Sequence, residues 1–190
     1  MSDLTTGRTE PCKDNTGGIR RMYVMSFVKY NRSLIAGFGT HTITSFPTTL
    51  MFELEGRNKK ADESYNNGLY EQSLTINLAK QDTETLVLLS KINNGITRVI
   101  TTDHKGINKI YGLENGLDCD YSIKSGNGKS DFNGYEVELK GREEYKAHFV
   151  GNFGSTGFFT EGLTYGCLLS SSGRPSSIAD LVSSCNALQS

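Results

Sequence analysis

Apolar and polar residues alternate from Leu69 through Tyr70, Glu71, Gln72, Ser73, Leu74, Thr75, Ile76 and Asn77 to Leu78, a period of two that predicts a half-buried strand. Asp82-Thr83-Glu84 then opens a helix over about residues 82–93, with Leu86, Leu89 and Ile92 on one face and Asn93-Asn94-Gly95 as its stop. A β-branched run from Ile96 to Thr102 predicts the next strand, and turn signals follow at Asp103 to Gly106, Glu114 to Gly116 and Asp131 to Gly134. Upstream, aromatic and β-branched residues from Arg20 to Val28 start a sheet, which Leu34 to Phe38 and Thr49 to Glu55 are expected to continue. Between Gly56 and Gly68 the run Arg57 to Ser64 is polar and charged, and reads as a long exposed loop or hairpin tip. Downstream of the helix, short segments at 109–113, 118–124, 135–140 and 145–150 are evenly spaced. That spacing favours an antiparallel β-sandwich or barrel with one flanking helix over a parallel sheet.

The two ends break the pattern. Residues 1–18 are polar and rich in glycine and threonine, an N-terminal arm ahead of a body at 19–150. From 151 to 190 glycines surround Phe153, Phe158 and Phe159, an apolar set with no local scaffold, and a short helix from Ser177 carries only Ile178, Leu181 and Val182 on its apolar face. Both features predict a C-terminal arm that docks on a neighbouring subunit. The charged segment, with Lys59 and Lys60, is expected to become ordered against a neighbour as well.

Length changes this picture little: 190 residues make one domain with a real core. Charge narrows the partners, because 20 basic and 21 acidic side chains leave a formal net charge of −1. Strong non-specific attraction to nucleic acid or anionic membrane is not expected from that balance. No segment approaches the apolar length that spans a bilayer, and the first residues show no charged region followed by an apolar stretch, so cytoplasmic synthesis without a signal peptide is expected.

Candidate chemistry is sparse. Cys12, Cys119, Cys167 and Cys185 form no C-x-x-C pair, which predicts free thiols rather than a metal or redox site. Gly126 to Ser130 ends in Gly-Lys-Ser, but Ile123 stands where a phosphate loop needs its first glycine, so a hairpin turn is the better reading. His41, His104 and His148 lie in three separate segments without a ligand or carboxylate at helical spacing. Asp118 and Asp120 share one strand face and Glu143-Glu144 are adjacent, yet their polar neighbours predict solvated hairpin faces rather than an acid–base pair. No nucleophile elbow accompanies Ser125, Ser130 or Ser170. The expectation is a non-enzyme without cofactor, metal or small-molecule substrate.

The order of Glu71 to Leu78, the helix Thr83 to Asn93, Val99 to Gly106, Tyr111 to Leu117 and Ser125 to Leu139 resembles the tail-tube and tail-hub structural proteins of tailed bacteriophages, over roughly residues 18 to 150. The resemblance implies a β-sandwich with one flanking helix that assembles into a homo-oligomeric ring, a hexamer, whose subunits pair strands into a shared barrel. It further implies a place in the virion tail, contact with other tail or neck proteins, and passage of DNA without sequence-specific binding. On that reading Phe153, Phe158, Phe159, Ile178, Leu181, Val182, Lys59 and Lys60 are subunit-interface candidates. A small β-sandwich adhesion or carbohydrate-binding module is the alternative, disfavoured by the lack of tryptophan. A glycoside hydrolase built on the paired carboxylates stands further off.

Overall fold

The computed structural model describes residues 17–47, 51–128, 130–151 and 153. The expected arm at 1–16, Phe158, Phe159 and the C-terminal helix with Ile178, Leu181 and Val182 lie outside these residues. The chain is mainly β, in two sheets with one α-helix. Its strands are β1 (Ile19–Ser26), β2 (Thr42–Ile43), β3 (Met51–Glu53), β4 (Arg57–Asn66), β5 (Leu69–Ala79), β6 (Thr97–Asp103), β7 (Asn108–Tyr111), β8 (Asp118–Lys124), β9 (Gly134–Glu143) and β10 (His148–Val150). The helix α1 (Thr83–Asn93) joins β5 to β6. One sheet runs β2-β10-β7-β6-β1-β3 and the other β4-β5-β9-β8. All pairings are antiparallel among the described residues except β10 with β2.

Why two sheets stack is visible in the side-chain alternation. Leu74, Ile76 and Leu78 of β5 and Val137 and Leu139 of β9 face Met22, Val24 and Val99 of the six-stranded sheet across one core. The intervening residues of β1, Tyr23 and Met25, point the other way, into a second core with Ile100 and Ile110. Ile35 and Phe46, from the segments on either side of β2, cover that second face together with Ile43 of β2. The six-stranded sheet therefore packs on both faces, which is why β1 and β6 bury consecutive residues, Met22 to Met25 and Thr97 to Thr101, rather than alternate ones. The four-stranded sheet keeps one face in water, and β5 alternates accordingly.

Three segments differ from the sequence expectation. Residues 34–38 do not form a strand: Asn31 caps a 3-10 turn at Arg32–Leu34 by accepting the Ser33 N–H, and Gly37, with φ +85°, leads into a second at Phe38–Thr40. The expected loop at 56–68 is instead the ten-residue strand β4, paired along β5 from Arg57↔Asn77 to Asn66↔Leu69. Asn67 and Gly68, at φ +50° and +86°, close that hairpin with the left-handed residues a two-residue turn needs. In α1, Leu86 is exposed, and Leu88, Leu89 and Ile92 make the core contact. The helix starts where expected, with the Asp82 carboxylate accepting the Thr85 N–H at 2.7 Å.

Candidate interaction surface

Because β5 sends Gln72, Leu74, Ile76 and Leu78 inward, it presents Glu71, Ser73, Thr75 and Asn77 to solvent. Pairing aligns these with outward residues of the neighbouring strands in transverse rows. Asp62, Ser73, Lys140 and Asp118 make one row, and Lys60, Thr75, Glu138 and Asp120 the next. Charges in the rows are compensated locally: Glu71 pairs with Arg142 at 3.0 Å, Lys140 with Glu138 at 2.9 Å, Lys60 with Asp62 at 2.5 Å and Lys124 with Glu136 at 3.5 Å. Such exposed pairs contribute about 0.2–1 kcal/mol each at most, so they set the character of the face more than its stability. Asp118 and Asp120 are exposed here, as their alternation predicts.

A groove of about 680 Å³ crosses this face, with Ser64, Ser73 and Arg142 along it and Ile96, Asn115 and Gly116 as a wall. None of its lining residues is aromatic. The wall is held from behind by Glu143, which is 1% exposed rather than solvated as its neighbours in sequence suggest. Glu143 is the inward partner of Leu139 along β9, and its carboxylate accepts the backbone N–H groups of Glu114, Asn115 and Gly116, each at 3.0 Å. Burial pushes its carboxyl above the ordinary range, and those three bonds oppose the shift.

Arg98 supports the same loop from the other side. It is also 1% exposed, donates from Nε to the Leu113 carbonyl at 3.0 Å, and lies 4.2 Å from the Phe27 ring centre with Tyr30 and Phe46 beyond. Its Nη1 has no hydrogen-bond acceptor among the described residues. Burial lowers its pKa to about 10, against the pull of Tyr30 and Glu143, so it stays charged at neutral pH. On the rim, Arg32 forks onto Glu114, donates to Glu144 at 2.7 Å and stacks 4.5 Å from the Tyr145 ring centre.

The remaining candidates are accounted for locally. The Gly126 to Ser130 turn spends its Asn127 and Gly128 N–H groups on the Asp131 carboxylate at 2.9 and 2.8 Å, so the donors a phosphate would need are taken. His148 is buried between the carbonyls of Lys146 and Phe38, at 2.8 and 3.0 Å. Cys119 is free and buried, with its thiol pushed up to about 11 by burial. Lys59 donates to the Arg20 carbonyl at 2.8 Å, across to the other sheet, while Lys60 stays on the solvent face of β4. Phe153, expected to need a neighbour's surface, sits edge-on to Tyr23 of its own chain with ring centres 5.1 Å apart. Among the described residues no three histidine, cysteine or carboxylate side chains are grouped to hold a metal, and no helix is long and apolar enough to cross a membrane.

Arg98 and Glu143 escape a motif search because their roles depend on the loop Gly112 to Leu117 folding between them. A charged residue inside the β-branched run Ile96 to Thr102 was the available signal for Arg98. The chain matches no family model, no curated protein and no solved structure.

Proposed function

We propose that this protein is a structural subunit of a phage tail, tube, hub or neck, which assembles through its sheet edges into a ring or tube that DNA traverses. The observation that carries the reading is the four-stranded sheet. Its solvent face is charge-compensated by pairs such as Glu71–Arg142 and Lys140–Glu138. Its outer strands β4 and β8 have no further strand partner among the described residues. Open edges offer backbone groups that neighbouring copies can satisfy, and a ring closes them without residual edge. A face with balanced charge lets a polyanion slide past instead of holding it, since each phosphate contact requires an uncompensated cation. The groups that catalysis would need in one place are dispersed: Asp118 and Asp120 are on the solvent face, and Glu143 is committed to three backbone donors.

Negative-stain microscopy of the purified protein at high concentration tests this directly. Rings or tubes are the expected outcome, and particles that stay monomeric at every concentration would end the proposal. The second reading, a carbohydrate-binding module, draws on the groove beside Ile96 and Asn115. It lacks the aromatic platform on which sugars usually stack. A glycan array with a clear hit, lost on changing Arg142 to alanine, would favour it.

A further inference from the structure

The sequence of β4 is complementary to itself. From Lys59 it reads Lys59-Lys60-Ala61-Asp62-Glu63, two cations and two anions mirrored about a small central residue, on an outer strand exposed along nearly its whole length. We infer that β4 is a two-fold docking edge for the β4 of a second copy of this chain, paired antiparallel about Ala61.

The register follows from charge. Antiparallel pairing centred on Ala61 sets Lys60 opposite Asp62 twice, once on each side of the axis, while Lys59 donates to the Arg20 carbonyl and Glu63 accepts from the Ala147 N–H and from Gln72 within their own chain. Directly opposite side chains on one face of an antiparallel pair approach closely enough for unlike charges to stabilise and like charges to oppose. Centring the pair on Glu63 would place Glu63 against Glu63, and centring it on Lys59 would place Lys59 against Lys59. Moving the centre between residues would turn the solvent face of one copy onto the core side of the other. Among registers centred on a residue of β4, the Ala61 one alone sets unlike charges opposite each other without also setting like charges opposite. Lys60 and Asp62 lie on the solvent side of β4, where Lys60 pairs with Thr75 of β5 and Asp62 with Ser73 in backbone register. Both are free to exchange their mutual 2.5 Å ion pair for one across the axis.

Other features of β4 are consistent with a selective edge. A bulge between Arg57 and Lys60, with Asn58 at φ +52°, takes in Lys59, so regular pairing starts at Lys60 and runs through Ala61 and Asp62. Bulges and lysines blunt an edge toward unrelated strands, so the charges that repel strangers admit a partner with the same pattern reversed. The contact is short, which makes the dimer a weak one that forms at high local concentration. This inference goes beyond the proposed function. A two-fold contact at β4 uses an edge that a ring closed through β4 and β8 would also use, so a ring formed beside it closes through β8 and the edges of the six-stranded sheet, and sedimentation reads the β4 pair while microscopy reads the ring.

Sedimentation equilibrium on the full chain tests it with five samples: the wild type, Lys60→Asp, Asp62→Lys, the double exchange, and an equimolar mixture of the two single variants. The wild type is expected to dimerise, with weakening at raised salt. Each single variant puts like charges opposite one another twice and should dimerise about tenfold or more weakly. The double exchange restores complementarity and should recover the dimer. The mixture should form heterodimers, because one variant then carries two anions and the other two cations at positions 60 and 62, so that unlike charges meet on both sides of the axis. All substituted side chains are on the solvent face, and circular dichroism checks that each variant folds. A wild type that is monomeric to about 1 mM, single variants that associate as the wild type does, or a mixture without heterodimers would each overturn the inference. Microscopy of the same samples reads ring formation independently.

Discussion

Replacing Arg98 by methionine and by alanine separates its charge from its stem. Its aliphatic stem and guanidinium plane fill space against Phe27, Tyr30 and Phe46, while Nε holds the Leu113 carbonyl. Arg98→Ala is expected to cost about 3–5 kcal/mol, through the lost packing, the stranded carbonyl and the loss of a cation near buried Glu143. Arg98→Met keeps the volume and removes a buried charge that has an unmet Nη1, so it should cost clearly less. Urea denaturation of both variants checks the order, and equal costs would show that the charge rather than the packing dominates. At this scale the sequence was least legible. Glu143 reads as solvated beside Arg142 and Glu144, and its burial depends on alternation along β9 and on three donors from a loop some thirty residues away.

Elements were legible where one face meets water. The period-two pattern of β5 and the Asp82 cap of α1 are properties of local sequence, and both stand in the structure. β4 was not legible by the same rule, because an outer strand with few buried contacts carries a polar sequence that resembles a loop. Its signal lay in the turn, where Asn67-Gly68 demands a hairpin and so demands a partner strand before it. The 3-10 turns between β1 and β2 are likewise set by Gly37 and the Asn31 cap rather than by apolar content. One of these elements carries a pH dependence. His148 on β10 faces the Phe38 and Lys146 carbonyls, stacks on Phe38 with ring centres 4.9 Å apart, and has the His41 ring 5.2 Å away. Burial, the leading cause, holds its pKa below the ordinary 6.5. The unfolded chain therefore takes up a proton before the folded one does, and the His148 contribution, present above 6.5, is lost as pH falls through the lowered folded value. Urea midpoints across that window should fall on acidification in the wild type and flatten in His148→Gln. Identical slopes would remove His148 as the cause.

Among the described residues the sandwich carries apolar packing on both faces of its six-stranded sheet, because Ile35 and Phe46 after β1 cover the side turned away from the four-stranded sheet. Phe153 contributes to that cover through Tyr23, so the body extends past Val150. A chain ended after Phe153 is expected to keep the stability of its body, whereas one ended after Val150 should lose about 1–3 kcal/mol from the bared ring and from the Gly151 N–H bond to the Ile43 carbonyl. Thermal melts of the two truncations measure the difference, and equal melting would place the boundary at Val150 after all. Burial on both sides also gives the six-stranded sheet a distinct clock. Water reaches the amides of the outer strands β4 and β8 by brief local fraying, but those of Met22 to Met25 and Val99 to Ile100 lie beneath side chains on either face. Deuterium should enter them last, at a rate set by opening of the entire body, so a handful of amides in β1 and β6 will report its global unfolding.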